Sequence, residues 1–367
     1  MNRASVLRVG IGILGVILLA ALPLLNLRIP GVLPGATYEP GTLQLLALCL
    51  LIAGLALSYH VLFGLAGLLS FGHALYFAAG LYGLAIALRH WQMSLVSAAL
   101  LVFVGATLLA LIVGAVSLRV SGISFAMVTL AFAQAGSVLV ARNPGGLTGG
   151  EEGLGLDITN IPESFVGVVN TRNLYWISLA IAIAVFALVT WFERSRAGHV
   201  AAATRENELR VRVIGMQPYL VRLLAFVTAG SLAGIVGMAY LLVQNGAQAR
   251  ATSADFTLTL LVMVVLGGVG SRWGAVIGGV VYTLLDQRLT ALAGGEFIQS
   301  LPAILRVPLS QPLFLLGTLF ILVVLFLPGG ITGTVARLRS GGSVARARAT
   351  LEQAGGAESD GMEVEAR

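Results

Sequence analysis

The sequence contains no lysine: all 22 basic residues are arginine. That absence removes two chemistries from the chain, because a Walker A phosphate loop sets a lysine on the β and γ phosphates and a Schiff base needs a lysine amine. If ATP drives this protein, another chain binds the nucleotide. Cysteine is nearly missing as well. Cys49 stands alone inside an apolar run, which excludes a disulfide and reads as a buried structural thiol. The four histidines, His60, His73, His90 and His199, are scattered without metal-ligand spacing, so no metal site is expected. Charge is scarce too, at 10% of 367 residues against about 25% in an average soluble domain. So little charge cannot solvate a folded surface in water.

What is present is apolar: 57% of the residues are hydrophobic before the 46 glycines are counted. Runs of roughly 20 mostly apolar residues recur from Val9 to Leu327, each long enough to cross a hydrocarbon core of about 30 Å as a helix. The expected fold is all-α and polytopic, with about ten membrane segments near residues 9–27, 43–63, 67–88, 94–117, 122–141, 174–192, 222–243, 256–268, 275–292 and 312–328. The first has Arg3 and Arg8 before it and Ala20 and Ala21 near its end, as a secretory signal would. Its apolar run of about 19 residues exceeds the usual signal core, so an uncleaved span is expected. The basic balance, a formal net charge of +6, would suggest nucleic acid in a soluble protein, but arginines flanking apolar helices set membrane orientation, and no nucleic-acid partner is expected. With ten spans and both termini cytoplasmic, Arg28, Arg89, Arg142, Arg172, Arg250, Arg288 and Arg306 fall outside and the other fifteen arginines inside, as the positive-inside rule requires.

Two stretches do not read as simple helices. The run from Leu258 to Leu285 is cut by GGVGSRWG, and the run from Gly64 to Gly83 is equally glycine-rich. Broken or re-entrant segments fit both, and non-helical backbone at membrane depth is tolerated only against protein or a water-filled cavity. Both stretches should therefore line the interior. The domain reading is a transmembrane unit over 1–336, with an external loop at 142–173 and a cytoplasmic loop at 193–222, followed by a disordered cytoplasmic tail at 337–367.

The cytoplasmic loop from Glu193 to Arg222 is the most informative segment. Its six arginines would cost on the order of 15 to 20 kcal/mol in lipid, so it lies in water. Glu206 with Arg210, and Glu208 with Arg212, are i,i+4 pairs in the favourable order, and Gly215 and Pro218 supply stop signals. The spacing predicts one exposed helix from about Val200 to Ile214.

The segment SRAGHVAAATRENELRVRVIGM resembles the cytoplasmic loop of branched-chain amino acid permeases of the ATP-binding cassette family, with His199 where that family usually has arginine. GLAGLLSFGHALYFAAGLYG, RVSGISFAMVTLAFAQ, LTGGEEGL, LAFVTAGSLAGIVGMAY and VVLGGVGSRWGAVIGG are similar to further motifs of that family, in its order. The resemblance implies a non-enzymatic permease subunit of the bacterial inner membrane. Its implied partners are a second homologous permease, two cytoplasmic ATPase subunits holding ATP and Mg, and a periplasmic or extracellular solute-binding protein. On that footing Arg205, Glu206 and Asn207 are expected to contact the ATPase, and Gly215 to permit the turn back into the membrane.

Within the membrane, Ser70, Gly72, His73, Thr129, Gln134 and Gly268 are candidates for the translocation pathway. His73 reads either as a helix-packing hydrogen-bond partner or as a proton carrier, and Ser70 and Thr129 could equally bond their own helix backbone. Thr148, Gly149, Gly150 and Gly153 are expected to help dock the binding protein, being glycine-rich and outward. Import of branched-chain or related amino acids is the expected function, with urea or amides as an alternative cargo. An ion-coupled secondary transporter is the rival class, weakened by the scarcity of intramembrane carboxylates, and no nucleophile-and-base constellation suggests an enzyme.

Overall fold

The computed structural model describes residues 12, 14–29, 31–293, 306, 310–327, 329–334 and 337. The expected tail at 337–367 therefore lies outside the described residues apart from Arg337. Helix α1 runs Leu14–Leu24, α2 Pro40–His60, α3 His73–Arg89, α4 Leu95–Ser117, α5 Ile123–Arg142 and α6 Thr171–Arg194. After these come α7 Arg196–Glu206, α8 Glu208–Val213, α9 Pro218–Gln244, α10 Ala254–Gly267, α11 Arg272–Ala293 and α12 Pro312–Phe326. Two-residue strands β1 (Leu154–Gly155) and β2 (Gly246–Ala247) pair antiparallel, Leu154 opposite Ala247.

Each apolar run of the sequence corresponds to a helix, but the helices are unequal. Among the described residues, five are long and apolar enough to cross a membrane unaided: α2 with its π-turn extension Val61–Leu65, α4, α5, α6 and α9. The pair α10 and α11 is bent by 118° at a short break and passes the same test only when taken together. Helices α1, α3 and α12 are shorter apolar pieces.

Burial separates the roles of the long helices. Helix α2 is apolar on all sides, and a helix of that kind belongs in a core rather than at a surface. Helices α2 and α9 are accordingly the most buried of the five, while α4, α5 and α6 expose most of their surface. Val96, Leu100, Ile112 and Ile123 are more than 60% exposed, an apolar surface that only lipid or another apolar protein can cover. At the centre, α3 crosses α9 at backbone contact. A Cβ at Gly80 would overlap the Gly234 carbonyl, and one at Gly237 would overlap the Phe77 carbonyl, so only glycine permits this approach.

Helix α9 has 27 residues, about 40 Å at 1.5 Å per residue, and sets two ends to the bundle. One end carries α7 and α8. The other carries the β1–β2 pair and the loop that follows α5.

Candidate functional site

Between the π-turn of α2 and the first residue of α3, the chain from Ala66 to Gly72 is not helical yet lies inside the protein. Its backbone groups need partners that a helix would have supplied. Neighbouring hydroxyls supply them. Phe71 N–H donates to Thr129 Oγ1 of α5 at 3.1 Å, and Ala74 N–H donates to Thr257 Oγ1 of α10 at 2.9 Å. Gly72 N–H donates to Ser70 Oγ at 3.2 Å, and Tyr59 of α2 donates its hydroxyl to the Ser70 carbonyl at 3.0 Å. Ser70, His73, Thr129 and Thr257 are all fully buried.

This knot brings together four of the residues expected in the pathway. Thr129 does both things its type allows: its hydroxyl donates to the Ala126 carbonyl at 2.9 Å and accepts from Phe71. Ser58 donates to the Leu55 carbonyl at 2.7 Å, so at 2.8 Å it accepts from His73 Nε2–H. His73 thereby carries a proton on Nε2, with Nδ1 left without a partner. Gly72 is pressed onto α5, where a Cβ would stand 2.7 Å from the Thr129 carbonyl oxygen. The remaining two candidates lie elsewhere. Gln134 is exposed on another face of α5, and Gly268, at φ +119°, sits at the break between α10 and α11 against Gly329 and Thr332.

At the α7–α8 end, two polar connections tie the broken spans to the elbow between α6 and α7. Glu193 near the end of α6 bonds His60, the last residue of α2, at 3.0 Å and Arg272, the first residue of α11, at 2.8 Å. From α7, Arg205 donates to the Gly64 carbonyl in the π-turn of α2. Its stem covers Gly67, where a Cβ would meet Arg205 Cγ at 2.6 Å, and its guanidinium lies near Gly270. Arg205 thus bonds the first interruption and lies beside the second.

The single helix expected over Val200–Ile214 is corrected to two. Asn207 leaves the helix at φ −157°, ψ 103°, and its side chain caps α8 by accepting from Arg210 N–H at 3.0 Å. Asparagine competes with helix backbone in this way, which is why it breaks helices and caps them. The break takes Glu206 and Arg210 out of common helical register, whereas Glu208 and Arg212, both within α8, pair as expected. Burial alone would raise the Glu208 carboxyl, but Arg222 at 2.8 Å and Arg212 outweigh it and hold it below its ordinary value. Glu206 and Asn207 are exposed at the corner, and Gly215 adopts φ +82° beyond it.

Residues 41–325 match the family model described as branched-chain amino acid transport system / permease component, a span that runs from α2 into α12. The chain belongs to that family. The high-affinity branched-chain amino acid transport system permease protein LivM of Escherichia coli strain K12 is 24% identical over 65% of this chain and 61% of its own length. LivM of Salmonella typhimurium is 23% identical over 82% of this chain and 73% of its own. This chain thus spans less than two thirds of the first relative's length. Among solved structures, PsaBC from Streptococcus pneumoniae in complex with Fab aligns over 81% of this chain and 94% of that one, at 15% identity and a TM-score of 0.42.

At the far end of this permease, the loop residues expected to help dock a partner shape the loop itself. Thr148 is buried, donates to the Val140 carbonyl at 2.7 Å and accepts nothing from outside the loop; Asn143 Oδ1 accepts from the N–H groups of Thr148 and Gly149 at 2.8 and 3.0 Å. Gly149, Gly150 and Gly153 all have positive φ and allow the loop to close on itself and on Ala247 of β2. Between Thr148 and Gly153 the exposed side chains are those of Glu151 and Glu152. Sequence reasoning missed Asn143, although Asn-Pro-Gly after an apolar helix signals a left-handed cap. It also missed Thr257, Glu193 and Arg272, whose partners are 79 to 183 residues away in the chain.

Proposed function

We propose that this chain is the membrane-spanning permease subunit of an ATP-driven importer that carries branched-chain or related amino acids across the bacterial inner membrane. It works beside a second homologous permease, with two cytoplasmic ATPase subunits holding ATP and Mg, and receives solute from a periplasmic or extracellular binding protein. The relatives named as branched-chain amino acid permeases support the solute class. In this reading both termini and the α7–α8 end face the cytoplasm, and the loop over 142–173 faces the binding protein, with Glu151, Glu152 and Glu163 as its exposed acids.

The observation that carries the reading is the bond of Arg205 to the interrupted span after α2, beside the Glu193 junction that ties α6 to α2 and to α11. A water-exposed helix held rigidly to two interrupted membrane segments moves them when it is moved. ATPase closure displaces the α7–α8 corner at Glu206 and Asn207, with Gly215 as the turn into α9. Arg205, exposed at the same corner, meets the ATPase with them and passes the displacement inward through its bond to Gly64. The packed knot around Ser70, Gly72, His73 and Thr129 then serves as the fixed seat of α3 in a closed pathway.

The test is a reconstituted complex of permeases, ATPases and binding protein carrying E206A and N207A together. Solute-stimulated ATP hydrolysis and uptake are expected to fall together toward their solute-free levels while the complex still assembles. Unchanged solute-stimulated hydrolysis would remove the corner from the coupling route.

A further inference from the structure

Beside the coupling corner is a second polar feature that coupling does not use. A cleft of about 390 Å³ opens between α8, the first turns of α9 and the link from α4 to α5. Three arginines line it, one from each of these elements: Arg119, Arg212 and Arg222. Glu208 is the only carboxylate in the lining, and it is shared by Arg212 and Arg222, so the walls carry an excess of about two positive charges. Arg119 has no carboxylate partner among the described residues. The Nε–H of Arg222 is buried with no acceptor, although a guanidinium offers five donors. Donors of this kind are complementary to a phosphate oxyanion.

The surroundings decide which phosphate. Arg119 lies just past the end of α4 and Arg222 one turn into α9, so the cleft sits where two membrane-crossing helices meet the aqueous boundary. Next to it, Leu209, Val213 and Ile214 are each about 70 to 80% exposed, and Val120 and Ile123 are exposed on the α5 side. Guanidinium groups at headgroup level above bare aliphatic surface match a phospholipid, whose phosphodiester and acyl chains demand those two environments side by side. A free phosphate would explain the arginines and not the aliphatic rim.

We propose that this cleft binds the headgroup of an anionic phospholipid in the leaflet on the α7–α8 side, and that α8 rests on that leaflet. The experiment uses the full chain in nanodiscs of phosphatidylcholine with one tenth phosphatidylglycerol, and counts retained lipids by native mass spectrometry. Phosphatidylglycerol is expected to be enriched on the protein, and R119Q, which breaks no ion pair seen in the fold, to lower that enrichment about fivefold, the effect of one interfacial arginine. A control variant, R172Q at the opposite end, is expected to leave it unchanged. Equal enrichment in R119Q and the parent overturns the proposal. So does displacement of phosphatidylglycerol by millimolar inorganic phosphate, which would make the cleft a site for soluble phosphate. Loss of ATPase-subunit affinity in R119Q with lipid retention intact would likewise overturn it, assigning the cleft to an acidic protein surface.

Discussion

Single hydroxyl groups hold the interrupted span in place. Without Thr129 Oγ1, the Phe71 N–H would lose its acceptor in a partly buried place, and a buried group left so costs about 1–3 kcal/mol. T129V, which keeps the volume and loses the hydroxyl, is expected to lower stability by that amount, read as a lower melting temperature of the purified permease. T129S should retain most of it. Equal melting of T129V and parent would mean that the backbone finds another partner. The identity of Ser70, His73 and Thr129 as interior polar residues was legible in the sequence, because hydroxyls and imidazoles among glycines in an apolar run need partners. Which partners was not. Ala74 meets Thr257 183 residues further along the chain, and no local pattern encodes that pairing.

At the scale of elements, apolar periodicity and length located every helix from α2 to α6 and α9, and glycine clusters located both interruptions. The corner between α7 and α8 was misread because five charged residues with good helix propensity outweighed one asparagine, whose cap to Arg210 forms only if the chain turns there. The inward reach of Arg205 was equally hidden, since its acceptor is a carbonyl freed by the π-turn of α2. Helix α8 itself is pinned to α9 by Glu208, and its stability should therefore depend on pH. A carboxyl held below its ordinary value contributes fully above that value, 4.5 here, and loses the contribution as pH falls through the folded value. Hydrogen exchange of residues 207–214 is expected to speed up relative to α9 as pH is lowered below about 4.5, after correction for intrinsic rates. In E208Q that relative protection should already be weak near neutral pH and change little on acidification. A pH response in E208Q equal to that of the parent would assign the effect to another group.

For the whole molecule, the distribution of polar contacts sets what it can do alone. The ionic junctions, Glu193 with His60 and Arg272 and Glu208 with Arg212 and Arg222, gather at the α7–α8 end, whereas the interior around His73 is neutral and closed by hydrogen bonds. There the hydroxyl of Ser58 donates to the Leu55 carbonyl and accepts from the His73 ring, so the chain of donors ends on a backbone carbonyl. With no lysine for a phosphate loop, the chain also cannot take energy from ATP by the Walker mechanism. In the proposed assembly such a permease is moved from outside. Proteoliposomes holding both permease subunits without the ATPases should therefore fail to accumulate leucine against its gradient, whether a proton or a sodium gradient is imposed. Adding ATPases, ATP and binding protein should restore uphill uptake, measured with radiolabelled leucine. Accumulation driven by an ion gradient alone would move the energy source inside the bundle and favour the ion-coupled class of carrier.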